Sequence, residues 1–398
     1  MNRTVFGRRA ALLSGVAAFA GPAVLRAQSD PIKLGTLTPL TGAGGPYGPA
    51  MAKVAAAVIE EVNAAGGVLG RKIVLVSEDD QTNPDAGVRA ARKLIDVDKV
   101  SAIMGTWASS VTTAVAPLCW ESKTFLTTTS GADSITQLPH QGYLIRTQPN
   151  TVLQITRTGD FLVSLGAKKI VTLVPQTPFA QSSIDIMSNL AKKAGGSHVG
   201  LIYDDKKTTY RTEVDQALRS SPDAILCAGY TPDTVVLLKD LYRAGYKGKI
   251  IGQAYAINQK LIEQVGQKDI VEGVYTYAPS VAEGSNALER VKKLSGLANP
   301  DPYTSQIYDH ANLVLMAMAA AKDTTGTAIK DNVRKVSQGG GKTVDNAIDG
   351  LKAIAAGEKV DYSGASGPCD FDDKGDILDC KFRYEQIKDG KPVLVKIV

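Results

Sequence analysis

Two hydroxyl-bearing turns hold the residues of this sequence best suited to binding chemistry. Gly105-Thr106-Trp107-Ala108-Ser109-Ser110 follows an apolar run and opens a helical pattern. It therefore sets hydroxyls at a helix N-terminus, where free backbone N–H groups and the macrodipole favour a small anion. Ser109 and Ser110 offer donors to a carboxylate, and Trp107 offers an apolar wall. The plainer alternative is helix capping by one serine. Thr127-Thr128-Thr129-Ser130-Gly131-Ala132 ends the next apolar run, and four hydroxyls in a row do not suit a buried core. Two neighbouring strand ends with such donors predict an anion cradle.

Further along, Ala228-Gly229-Tyr230-Thr231-Pro232-Asp233 repeats the pattern of a strand end feeding a helix. Tyr230 is placed to reach across a cleft, and Phe179, after Pro178, to add an aromatic face; ordinary packing is the other reading of both. The loop Thr41-Gly42-Ala43-Gly44-Gly45-Pro46-Tyr47-Gly48 imitates a dinucleotide fingerprint. The third required glycine falls at Tyr47, and proline removes a phosphate-facing N–H, so a cleft rim with Tyr47 pointing inward fits better. No G-x-S-x-G elbow, HExxH or P-loop occurs in the sequence. Asp79-Asp80 reads as helix-capping or solvated loop acids.

Composition narrows the classes of partner. The chain has 398 residues and a net charge of +5. Its first 27 residues carry Arg3, Arg8, Arg9 and Arg26 with no acid, ahead of and around an apolar run at 10–20. That pattern predicts a cleavable export signal over 1–27, with Arg8-Arg9 hinting at the twin-arginine route. Removing those four arginines from 45 bases leaves 41 against 40 acids. Without a basic surplus, nucleic acid and anionic membranes are poor partners, and no later apolar stretch reaches the roughly 20 residues of a spanning helix. No metal-ligand spacing is present and no cofactor is implied. Cys369 and Cys380 bracket a hairpin-like turn, and in an oxidising compartment they are expected to pair, free thiols being the alternative. Cys119 and Cys227 read as packed thiols.

The elements that must position these groups alternate between strands and helices. Strand-like runs at 32–37, 73–76, 102–105, 124–127 and 142–147 are each followed by an amphipathic segment, and a second such set spans 149–277. That alternation implies an α/β fold of parallel sheets covered by helices, twice over. A helical block from 285 and a closing strand pair return the chain to the sheets. The lobes are expected over 30–148 plus 279–381 and over 149–278 plus 382–398.

At this point the chain resembles the periplasmic solute-binding proteins of branched-chain-amino-acid-type ABC importers, the leucine/isoleucine/valine-binding family. The likeness rests on residues 35–48, on Asn63-Ala64-Ala65-Gly66-Gly67-Val68-Leu69-Gly70-Arg71-Lys72, on Asp79-Asp80 with Asn83-Pro84, and on residues 105–110. Gly229-Tyr230-Thr231-Pro232 and Phe371-Asp372-Asp373-Lys374-Gly375-Asp376 extend it. It implies two Rossmann-like lobes joined by three hinge crossings, near 146–150, 277–279 and 381–384. It also implies a ligand carboxylate held at Ser109 with help from Ser130 and Ala132, an aromatic at Tyr230, and walls at Tyr47, Trp107 and Phe179. The implied role is periplasmic and non-enzymatic: capture of a small carboxylate or amino acid for an ABC permease and ATPase complex. An exported enzyme with a bound cofactor and a ligand sensor for a regulator are the other readings. One departure stands out: the family's ammonium-pairing acid is matched by Ala254. Alanine cannot neutralise a buried ammonium, so a carboxylate lacking an α-amine, aromatic or hydroxylated, is set beside an aliphatic amino acid. The family threonine matched by Ala132 is missing too.

Overall fold

The computed structural model describes Met1 and residues 30–398, so the expected export signal falls, Met1 aside, outside the described residues. Strands β1 (Ile32–Thr38), β2 (Ile73–Asp79), β3 (Ala102–Gly105), β4 (Phe125–Thr128) and β5 (Leu144–Arg146) form a parallel sheet in the order β2-β1-β3-β4-β5. Helices α1 (Gly48–Ala64), α2 (Pro84–Arg92), α3 (Ser109–Glu121) and α4 (Ser134–Gln137) connect them. The central strands are buried along their length because helices cover both faces, so they read as continuous apolar runs.

The second set repeats this order. It comprises α5 (Thr151–Ser164), β6 (Lys169–Pro175), α6 (Pro178–Lys193), β7 (Ser197–Tyr203), α7 (Arg211–Leu218), β8 (Ala224–Cys227) and α8 (Thr231–Arg243). It ends in β9 (Lys249–Gln253), α9 (Gln259–Val265) and β10 (Tyr275–Pro279). Its strands run β7-β6-β8-β9-β10, the same doubly wound order as the first sheet. In such sheets the crevice beyond the strands' carboxyl ends, where the winding reverses, is where ligands bind.

The chain then adds α10 (Asn286–Ser295), α11 (Pro302–Ala321), α12 (Gly326–Ser337) and α13 (Ala347–Ala355), with the small strands β11 (Lys342–Val344), β12 (Val360–Gly364) and β13 (Gly367–Pro368). Helix α11 is buried over almost its whole length against α1, α12 and α13, which explains its all-round apolar sequence. Finally β14 (Phe382–Lys388) and β15 (Lys391–Ile397) join the second sheet antiparallel, beside β10.

Two Rossmann-like lobes thus share three crossings: residues 147–150, the segment after Pro279, and the segment before Phe382. The last two lie side by side, with Pro279 paired to Phe382 and the Ser280 N–H donating to the Lys381 carbonyl at 2.7 Å.

The expected Cys369–Cys380 disulfide is corrected here. All four cysteines are free. Cys369 is fully buried in the first lobe's core, whereas Cys380 packs against the core cluster of the second. Their sulfurs sit against different carbonyls, those of Gly367 and Lys381. Asp80 is also corrected: it is fully buried rather than solvated.

Candidate functional site

The two hydroxyl-bearing turns lie at the carboxyl ends of adjacent strands β3 and β4. Gly105 makes the first turn possible. Its φ is +119°, and a Cβ there would come within 2.5 Å of the Leu37 carbonyl oxygen. Thr106 also adopts positive φ, and Trp107 after it is buried and lines the cavity. The N-cap of α3 is Ala108, and no side chain caps it. The serine-cap alternative is thereby removed, and the helix presents free donors to whatever occupies the crevice.

The second turn is more deeply buried than its composition suggests. Thr127, Thr128, Thr129 and Ser130 are all at most 2% exposed. Thr128 Oγ1 donates to the Thr106 carbonyl at 2.7 Å. Ser130 Oγ donates to the carbonyls of Thr106 and Trp107 at 3.1 and 2.9 Å. These hydroxyls stitch the two turns together, so Ser130 supports the cradle instead of facing a ligand. That corrects its expected role. Thr129 differs: its Oγ1 is buried, has no partner, and belongs to a residue lining the cavity.

Ser109 also lines the cavity, and its Oγ accepts from the Ala132 N–H at 3.2 Å. With that lone pair occupied, its O–H is free to donate outward. Ala132 is fully buried and acts through its backbone, so it does not touch the cavity. Ser110 is half-buried on α3 and does not line it either.

The opposite wall comes from the second lobe. Phe179 at the start of α6, Tyr230 at the end of β8, and Gln253 and Tyr255 at the end of β9 face the same cavity, of about 40 Å³. Gly229 lets Tyr230 sit there, because a Cβ on it would fall 2.0 Å from Asp233 Oδ2. Asp233 in turn fixes Tyr230 by accepting its N–H at 2.9 Å and the Tyr203 hydroxyl. Burial raises the Asp233 pKa to about 6.

Aromatic rings close the cavity across the lobes. Trp107 lies 5.7 Å from Tyr230, 5.3 Å from Tyr255 and 5.6 Å from Tyr303, centroid to centroid. Tyr47 does not line the cavity; it stacks on Trp107 at 5.7 Å, and its hydroxyl donates to the Tyr255 carbonyl at 3.0 Å while accepting from Asn258 Nδ2. It is a latch between lobes, which corrects the wall role expected of it. Ala254 faces a neighbouring cavity, so it too leaves the set in direct contact.

None of the side chains lining the cavity is an acid, a base or a histidine. Its polar groups are hydroxyls and carboxamides, and it offers no counter-charge to an ammonium. Sequence reasoning missed Gln148, Gln154, Gln253, Tyr255 and Tyr303. Gln253 and Tyr255 flank Ala254 at a strand end, so the strand-end rule alone would have found them. Tyr303 arrives from a helix remote in sequence and gave no signal.

Two hinged lobes latched over an uncharged aromatic cavity define a solute-binding protein. The chain belongs to the periplasmic binding protein family, whose sequence profile matches residues 31–391. It is similar to the chemotactic signal transduction system substrate-binding protein BasB of Halobacterium salinarum, at 26% identity over 86% of this chain and 83% of the relative. Among solved structures it is similar to the leucine binding protein LivK of Thermotoga maritima, with TM-score 0.78, 22% identity, and coverage of 92% of this chain and 98% of that one. A solute binding protein of an ABC transporter from R. palustris, solved with benzoate, superposes with TM-score 0.72 at 19% identity, covering 92% and 96%.

Proposed function

We propose that this chain is the periplasmic receptor of an ABC importer and captures a small carboxylate that lacks an ammonium, an aromatic acid of the benzoate type. The cavity's composition carries this reading. At one end stand the uncapped α3 N-terminus and the hydroxyls of Ser109 and Thr129, which suit a carboxylate. Around it stand Trp107, Phe179, Tyr230, Tyr255 and Tyr303, which suit a flat ring. A zwitterion would bring a positive charge with no partner, at a cost of several kcal/mol. The benzoate complex of the R. palustris protein supports the same ligand class.

The lobes, 30–148 plus 279–381 and 149–278 plus 382–398, hinge at the crossings, and ligand stabilises the closed form of an open–closed equilibrium. The closed shape then docks on the permease and its ATPase, without chemistry on the solute. Isothermal titration against benzoate, hydroxybenzoates and leucine tests the reading: submillimolar benzoate binding with none for leucine is expected, and the reverse pattern overturns it. Sensing is a second use of the same site, favoured by the chemotactic role in the name of the Halobacterium relative. Uptake of labelled benzoate by a deletion strain separates the two, since loss of uptake marks transport.

A further inference from the structure

Three adjacent strands of the first sheet, β3, β4 and β5, each lead at their carboxyl ends to a polar residue of the ligand cavity: Ser109, Thr129 and Gln148. Neighbouring strands lie about 4.8 Å apart, so the elements carrying Ser109 and Gln148 stand about 10 Å from one another. One carboxylate does not span that distance. With Ser109 and Thr129 on the carboxylate, Gln148 stands to one side of it, in the first crossing.

Gln148 has one end fixed. The residue is 3% exposed, and its Oε1 accepts from Gln306 Nε2 on α11 at 2.7 Å. A primary carboxamide has an acceptor end and a donor end, so Gln306 leaves Gln148 its donor end. That Nε2 bonds to none of the described residues and, unlike Gln306 Oε1, is not enclosed by protein. The other two glutamines of the cavity are spent elsewhere. Gln154 Nε2 donates to the Pro149 carbonyl at 2.6 Å, and its Oε1 accepts from Gln253 Nε2 at 3.1 Å. Gln253 Oε1 turns to the Tyr277 hydroxyl on the paired strand. An N–H₂ group on a buried residue, without a partner at the wall of a binding cavity, calls for an acceptor.

We propose that Gln148 is a specificity residue. Its N–H₂, oriented by Gln306, receives an oxygen carried on the ring of the bound acid, so the solute is a hydroxylated aromatic acid. An amino group in the same place sets N–H against N–H and does not answer it. This rests on the carboxylate reading above and narrows it.

Titration calorimetry on the mature protein with benzoate, 3- and 4-hydroxybenzoate, and 3- and 4-aminobenzoate tests it. At least one hydroxybenzoate is expected to bind about tenfold tighter than benzoate, the size of one good hydrogen bond, and neither aminobenzoate to gain. Gln148→Leu should erase the tenfold difference and leave benzoate affinity nearly unchanged. Gln306→Leu should free the carboxamide to turn, so that an aminobenzoate gains as well. A melting scan checks that each variant is folded; were Gln148→Leu to fail, the parent protein and Gln306→Leu still decide. The inference is overturned, and the carboxylate reading left standing, if neither hydroxybenzoate gains over benzoate or an aminobenzoate is preferred in the parent. The same holds if discrimination survives either substitution. Equal loss of benzoate and hydroxybenzoate in Gln148→Leu also overturns it, because Gln148 would then serve the carboxylate. Binding of none of the five acids overturns both.

Discussion

Arg146 and Asp376 meet through a 2.6 Å bond from Nε to Oδ1, with the arginine side chain wholly buried. The same guanidinium donates from Nη1 to the Ala132 carbonyl at 2.6 Å and from Nη2 to Thr136 Oγ1 at 3.2 Å. Asp376 Oδ2 accepts from Thr136 Oγ1 and from Asn150 Nδ2, at 3.1 and 3.3 Å. Asn150 also caps α5 by accepting the Leu153 N–H. One ion pair thus ties the Ala132 loop behind Ser109 to the first crossing and to the segment leading into the third.

Breaking this pair leaves a buried charge uncompensated. Asp376→Ala is expected to lower stability by about 3–5 kcal/mol, while replacing both partners by apolar residues of similar volume restores part of the loss. Urea denaturation of the two singles and the double mutant measures the coupling. A single-mutant loss below about 1 kcal/mol would show that the pair contributes little.

Ser109 and Ser130 differ in whether their loss reaches affinity. Ser109→Ala should weaken carboxylate binding by roughly 10- to 100-fold, the range of hydrogen bonds to charged groups, and, because it leaves the buried Ala132 N–H without its acceptor, should also lower stability by about 1–3 kcal/mol. Ser130→Ala removes a hydroxyl shared by two buried carbonyls and should lower stability by about 1–3 kcal/mol before it touches affinity. Calorimetry and thermal denaturation, run on both, decide. Equal effects of the two on affinity would put Ser130 back among the ligand contacts.

What the sequence could declare was whatever is periodic or local. The βα alternation, the cap at Asn83 and the glycine stop after α1 all follow from residue type and spacing, and the α/β class follows from the alternation. At the site, Trp107, Ser109, Thr129, Phe179 and Tyr230 stand at strand ends or helix starts, so a strand-end rule finds them. Ser130 was misplaced for a physical reason: hydroxyls can satisfy one another between two turns, and consecutive hydroxyls do not reveal whether they face a ligand or a neighbouring loop. Tyr303 and Arg146 were illegible because their partners lie far away along the chain. The Cys369–Cys380 pairing failed because nearness in a hairpin does not decide which core each thiol enters.

Trp107 should report closure. It lies at the centre of the tyrosine cluster, whereas Trp120 sits partly exposed near the end of α3. A ligand inserted among these rings changes the surroundings of Trp107 alone. Ligand-induced change in tryptophan emission is therefore expected to persist in Trp120→Phe and to vanish in Trp107→Phe. A signal that follows Trp120 would place the ligand elsewhere.

Asp80 gives the stability a definite pH dependence. It is fully buried, its Oδ1 accepts the Thr82 N–H at 2.7 Å, and its Oδ2 has no partner. Burial, helped by the nearby charge of Asp79, raises its pKa from 3.8 to about 7. Because the folded value lies above the unfolded one, folding favours the protonated acid. Its contribution is complete below about pH 4 and is lost as pH rises through about 7. Asp80→Asn keeps the shape and the bond to Thr82 but has no proton to lose. Variant and parent should be nearly equal near pH 4. At pH 8 the variant should be more stable by roughly 2–4 kcal/mol, at about 1.4 kcal/mol per pKa unit. The buried acids Asp233 and Asp309 titrate in both proteins and cancel in the difference. Urea denaturation at pH 4.5 and pH 8 measures it, and a stability gap that does not widen with pH would mean that Asp80 stays ionised in the folded protein.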